Sequence, residues 1–171
     1  MGAFLDRLRG RPRIQPQRIK TVWNEYIVDH SDYFHKVIRN VCGRDEGIKG
    51  ILRNRNKYTS SEDEMDFVLR LLSERIEGFF NSLITDEILN NSTELKRVCY
   101  QMGKQHASYA SETFKLVYWD EFTLAMLEVL EDSGSIGRDD LRAWQTLLHF
   151  VNENMQEGYF DARTDGHTRD I

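Results

Sequence analysis

Leu95-Lys96-Arg97-Val98-Cys99-Tyr100-Gln101-Met102-Gly103-Lys104-Gln105-His106-Ala107-Ser108-Tyr109 is the stretch whose reading decides the fold. Leu95, Val98, Met102 and His106 recur at steps of three, four and four, which sets them on one face of a helix. The first three are apolar and the fourth is an imidazole. Gly103 removes a side chain three residues before the histidine, and bare backbone there lets something large approach the helix. On spacing alone His106 is either a core histidine that satisfies a hydrogen bond or a ligand presented from an apolar face.

The same periodicity continues on both sides. Upstream, Pro16 suits the start of a first helix, and Ile19, Val22, Trp23, Tyr26 and Ile27 form its apolar stripe. His30-Ser31-Asp32 breaks the pattern and offers an N-cap. A second helix follows with Phe34, Val37, Ile38 and Val41 inward, ending at Cys42-Gly43. Gly43 to Ser61 reads as irregular, with Gly47 and Gly50 flanking Ile48. Ser60-Ser61-Glu62-Asp63-Glu64 is a helix start, with hydroxyl caps followed by acids in the first turn. The helix it opens carries Met65, Leu69, Leu72, Ile76, Phe79, Phe80 and Leu83 on one face.

Downstream, His106 to Lys115 makes a corner. A helix from about Leu116 to Leu130 turns Trp119, Phe122, Met126 and Val129 inward. Asp132 to Gly137 is a loop. A last helix from about Asp139 to Tyr159 presents Leu141, Trp144, Leu147, Leu148, Val151 and Met155, with His149 expected to pack among apolar neighbours. Amphipathic helices without a strand signal predict an all-α domain. The organisation expected is a basic arm over 1–14, a folded domain over 15–160 and a polar, mobile tail over 161–171.

Composition narrows the function. The 171 residues suit one domain with one core. Hydrophobic residues make up 40% and charged residues 30%, as in a soluble globular chain. The only prolines, Pro12 and Pro16, precede the helices. A net charge of −5 argues against nucleic acid as the main partner. No apolar run approaches the roughly 20 residues that span a bilayer, and no secretory signal is visible. A cytoplasmic location is therefore expected. Cys42 and Cys99 have no zinc-site spacing and read as two reduced thiols, with a regulatory disulfide or a reactive thiol as the alternative. Arg7, Arg9, Arg11 and Arg13 make the arm basic. It is either a solvated tail or a membrane-surface contact, and Met-Gly at the start invites an acyl anchor although Asp6 departs from that motif.

Several of these stretches carry a family likeness. Met102-Gly103-Lys104-Gln105-His106-Ala107 resembles the F-helix segment of globins, where a Leu-Gly-x-x-His-Ala run carries the iron-binding proximal histidine. Val117-Tyr118-Trp119 resembles the start of a globin G helix. Arg142-Ala143-Trp144 resembles the start of the last globin helix, and Trp23 sits where many globins have a tryptophan in the first. The resemblance runs from about Gln15 to Tyr159 and is closest to divergent invertebrate globins, nematode ones in particular.

What the resemblance implies is a globin fold of about seven or eight helices around a pocket for haem b, with His106 as the iron ligand. A carbonyl of the preceding turn, from Met102 or Gly103, would orient its ring. Trp119 and Phe122 would line the pocket from the next helix and Phe34 from above. Counting back from Phe79-Phe80-Asn81-Ser82-Leu83 puts the distal position at Val68, with Leu72 one turn on. The corner phenylalanine of globins has Ile48, Ile51 and Leu52 as candidates here, none aromatic.

Val68, Leu72 and Phe34 donate no hydrogen bond, so the pocket implied is apolar, with O2, CO or NO as ligand. No histidine lies between His35 and His106, which excludes a second axial histidine from the distal helix. A one-residue shift would bring Tyr33 or His35 inside. The reading favours gas sensing or a redox role over bulk oxygen storage. It leaves enzymatic activity open, with a nitrite-reductase-like side reaction as one form. The alternative function is a globin-fold interaction module without haem.

Overall fold

The computed structural model describes residues 13–55, 61–109 and 115–167. Among these residues there are eight α-helices and no strand. They are α1 (Pro16–Val22), α2 (Tyr33–Arg44), α3 (Glu46–Arg55), α4 (Glu62–Leu83), α5 (Asp86–Leu89), α6 (Ser92–Tyr109), α7 (Val117–Asp132) and α8 (Arg138–His167). The all-α expectation holds. No helix among the described residues is long and apolar enough to cross a membrane. Most of the basic arm lies outside the described residues, and so does its anchoring role.

Helix α1 continues as a π-turn over Trp23–Ile27, with the Val28 N–H donating to the Trp23 carbonyl at 2.9 Å. The wider turn brings Ile19, Val22, Trp23 and Ile27 together on the buried side. Helix α4 starts on a complete capping box: the Glu64 N–H donates to Ser61 Oγ, and the Ser61 N–H to the Glu64 carboxylate. Such a cap is worth about 1 kcal/mol. Thr85 caps α5 in the same way through the Ile88 N–H. Asn91 accepts from the Glu94 N–H at the start of α6.

Two boundaries and one burial assignment differ from expectation. The stretch after Gly43 is not all irregular, because α3 occupies Glu46–Arg55. Its glycines read as breakers, yet Ile48, Ile51 and Leu52 keep helical spacing, and Asp45 accepts from the Gly47 N–H at 2.7 Å. A Cβ on Gly47 would stand 2.6 Å from the Tyr118 hydroxyl, so this glycine is needed for close packing. The last helix does not stop at Tyr159 but runs to His167, carried on by Thr164 bonding back to Phe160 and by Arg163 donating to Tyr159. His149 is a correction as well. It lies on the exposed side of α8, its Nε2 3.3 Å from Glu153, because Leu147, Leu148 and Val151 define the inner face.

The core centres on Trp144, which is fully buried. Its ring stacks on Trp23 at 6.4 Å and lies 6.3 Å from Phe80. Phe80 in turn stacks on Phe34 at 5.7 Å and Phe122 at 6.4 Å. Each such pair adds about 0.5–1.5 kcal/mol beyond area burial. Tyr33 donates its hydroxyl to the Met126 carbonyl at 2.9 Å, and burial holds its pKa well above the ordinary phenol value. Helix α8 packs on α6, α7 and α1, and α2 packs on α7, α4 and α3. Arg44 at the end of α2 pairs with Glu121 and Glu128 of α7.

The closest helix crossing joins α6 to α8. A Cβ on Gly103 would fall 1.9 Å from the Met155 carbonyl oxygen, and one on Gly158 would fall 2.0 Å from that of Tyr100. The two glycines thus form a reciprocal notch of backbone against backbone. Lys96–Glu157 and Tyr100–Asp161 close its flanks at 2.9 Å each.

Candidate functional site

Helix α6 has two working faces. Leu95, Cys99 and Gly103 form its fully buried line, pressed on α8. Val98, Met102 and His106 run alongside and stay half-buried. The large object expected to approach Gly103 is therefore α8 itself.

His106 Nδ1 lies 2.9 Å from the Met102 carbonyl oxygen. A carbonyl only accepts, so this bond puts the ring proton on Nδ1 and leaves the basic lone pair of a neutral imidazole on Nε2. Of the two carbonyls that the family resemblance implied, the one used is that of Met102. The Trp119 ring meets the imidazole edge-on, with centroids 5.3 Å apart and planes at 80°. The ring is thus held by a hydrogen bond on one nitrogen and an indole at its side.

The other expected site residues fall in two groups. Met102, Trp119 and Phe122 are half-buried against the main core, with Val98, Ile76 and Phe79 beside them in the same class. Val68 and Leu72 are half-buried on α4. Leu72 packs on a smaller cluster of Ile38, Cys42, Met65 and Leu69, and Phe122 touches both clusters. Phe34 is buried more deeply, 3% exposed, inside the aromatic group of Trp23, Tyr33 and Phe80. Of the corner candidates, Ile48 packs on both clusters, Leu52 on the smaller, and Ile51 is half-buried. Phe34's neighbours have partners elsewhere: Tyr33 at Met126, and buried His35 with Nε2 3.0 Å from Asp66 Oδ1. The His35 approach lies off the hydrogen-bonding direction.

Helices α4 and α6 are the two that would flank His106, and they do not pack closely on each other. Helix α4 packs on α2 and α3, and α6 on α8 and α5. Both present half-buried apolar side chains: Leu72, Ile76 and Phe79 from one, Val98 and Met102 from the other. A cavity of about 170 Å³ lies elsewhere, between α2, α3 and α4, lined by Arg39, Cys42, Lys49, Glu62, Met65, Asp66 and Leu69. Its mixed charges and its distance in the fold from α6 separate it from His106.

Among the described residues no three His, Cys, Asp or Glu side chains gather closely enough to hold a metal ion. Both cysteines are free and buried. Burial pushes the Cys42 thiol up to about 11 and the Cys99 thiol up to about 12, so neither is a reactive thiolate near neutrality.

Sequence reasoning missed Tyr159. It is buried on α8, with its ring edge-on to Trp119 at 5.8 Å. It fell at the expected end of the last helix, where the apolar stripe gave it no assignment. Comparison of the chain with protein-family models and with curated proteins gives no match.

Proposed function

We propose that this chain is a globin, a haem protein that binds O2, CO or NO at an iron held by His106, with a role in gas sensing or redox chemistry. The observation that carries the reading is the hydrogen bond from His106 Nδ1 to the Met102 carbonyl, 2.9 Å long, on a half-buried apolar helix face. A metal-bound histidine is oriented in this manner, by an acceptor on its other nitrogen. The order of helices supports the fold. So do the half-buried apolar side chains that α4 and α6 present, Leu72 and Ile76 from one and Val98 and Met102 from the other, since haem needs an apolar surround.

When bound, haem supplies a ferrous iron that takes up a diatomic ligand. The chain's own residues set how it does so. Met102 fixes the imidazole tautomer and raises its donor strength. Trp119 restricts its rotation. Val68 and Leu72 would offer an apolar wall with no hydrogen-bond donor, so a polar or charged ligand would find no partner from them. That chemistry suits a sensor or redox protein better than an oxygen store.

The test is the absorbance spectrum of the purified protein in ferric, ferrous and CO-bound states. A Soret band with a five-coordinate ferrous spectrum is expected. A colourless protein would instead favour the haem-free interaction module, and a sharp six-coordinate low-spin ferrous spectrum would contradict the apolar distal wall.

A further inference from the structure

We propose that Trp119 and Tyr159 form a one-electron relay between the His106 side of α6 and the outer surface of α8. It would return electrons to the haem after a peroxide has oxidised it. This use of the relay rests on the haem reading above.

Indoles and phenols are the side chains that strong one-electron oxidants attack most readily, and here one of each stands in line from the imidazole. His106 to Trp119 is 5.3 Å and Trp119 to Tyr159 is 5.8 Å between ring centroids, both edge-on. The line then reaches the surface. Tyr159 accepts a hydrogen bond from Arg163 Nη1 at 2.9 Å, and Phe160, 53% exposed, lies 6.2 Å from its ring. Exposed Phe160 and Arg163 together offer an aromatic and cationic landing for a small phenolic reductant. Trp119 is also the most accessible of the three tryptophans: it is partly exposed, whereas Trp23 is 4% and Trp144 0% exposed.

The electron balance is simple. Hydrogen peroxide takes up two electrons and two protons, its O–O bond breaks, and it leaves as two waters. One electron would be drawn from a haem held at His106. The other leaves Trp119, which is refilled from Tyr159 as the phenol releases its proton to water. A phenolic reductant at the α8 surface then returns one electron and one proton to Tyr159 and departs as a phenoxyl radical. A second reductant molecule restores the haem, its proton passing to water.

The relay is tested by pulse radiolysis of the purified full chain, with azide radicals as oxidant, because these attack accessible indoles before phenols. The indolyl absorbance should decay as tyrosyl absorbance rises, at one rate that does not depend on protein concentration. Y159F should cut that rise at least tenfold, W119F should abolish its indolyl precursor, and Y100F should leave it unchanged. An indolyl signal that decays without a tyrosyl rise, or a rise unaffected by Y159F, overturns the relay. In haem-loaded protein treated with peroxide, Y159F should remove the tyrosyl signal in freeze-quenched paramagnetic resonance and slow oxidation of added phenol at least tenfold. Absence of a Soret band overturns the haem reading. Absence of indole-to-phenol transfer in protein that has the band overturns the relay alone.

Discussion

Helix α6 shows two ways of using one amphipathic surface. On the side of Leu95, Cys99 and Gly103 the chain is pressed against α8, and no side chain intervenes at the Gly103 notch. On the side of Val98, Met102 and His106 the residues are only half-buried, and α4 stands apart. The first arrangement contributes stability through contact. The second keeps its side chains only partly buried, packed on the core along one edge and accessible along the other. Two residues one position apart, Gly103 and Met102, fall on opposite sides of that division because successive helical residues are separated by about 100° around the axis.

The sharpest way to break this contrast is G103A. Its new Cβ would sit 1.9 Å from a backbone oxygen that no rotamer can move. The expected loss is roughly 3 kcal/mol or more, at or above the upper end of ordinary overpacking. Chemical denaturation measures it, and a loss under about 1 kcal/mol would mean that the crossing is looser than described.

The next effect is alkaline. Cys99 is fully buried, and burial raises its thiol from the ordinary 9.0 to about 12. A raised acid stays protonated in the folded state while the unfolded chain ionises. Its contribution is therefore fully present below pH 9.0 and is lost as pH climbs towards 12. Stability should fall by roughly 1 kcal/mol over the first pH unit of that window, and C99A should flatten the slope. The same burial predicts that neither cysteine is alkylated at neutral pH until the protein unfolds.

On the open face, H106A should cost the haem-free fold only about 1 kcal/mol, the worth of one hydrogen bond, while removing the Soret band. A large loss of stability with the colour retained would reverse the roles assigned to the two faces. The smallest effect belongs to the solvent side. Arg97 and Glu94 form an i,i+3 pair there, and E94Q should leave the denaturation midpoint unchanged within error.

How far each face was legible follows from physics. The inner lines of α4 and α8 were readable because Met65, Leu69, Phe80 and Leu83, or Trp144, Leu147, Leu148 and Val151, are bulky and keep a 3.6-residue period. The capping box at Ser61 and Glu64 was readable as local chemistry. Helix α3 was not, because Gly47 carries a breaker's signature while its real role is to make room for Tyr118. The π-turn at Trp23 was also hidden, since its extra residue follows from packing. Around His106, the carbonyl of the previous turn is a local partner and could be anticipated as one of two. The pairing of Gly103 with Gly158 and the contact of Trp119 with Tyr159 join distant parts of the chain, and no local spacing encodes them. His149 misled because an apolar neighbourhood in sequence need not be an apolar neighbourhood in space.

The reciprocal notch between α6 and α8 also bears on ancestry. Neither glycine can drift without the other losing its counterpart, because each makes room for a main chain instead of a side chain. Core leucines and valines can be exchanged for residues of similar volume, whereas these two positions accept no side chain at all in this crossing. A chain that shares the crossing is therefore expected to carry a glycine at each of the two places.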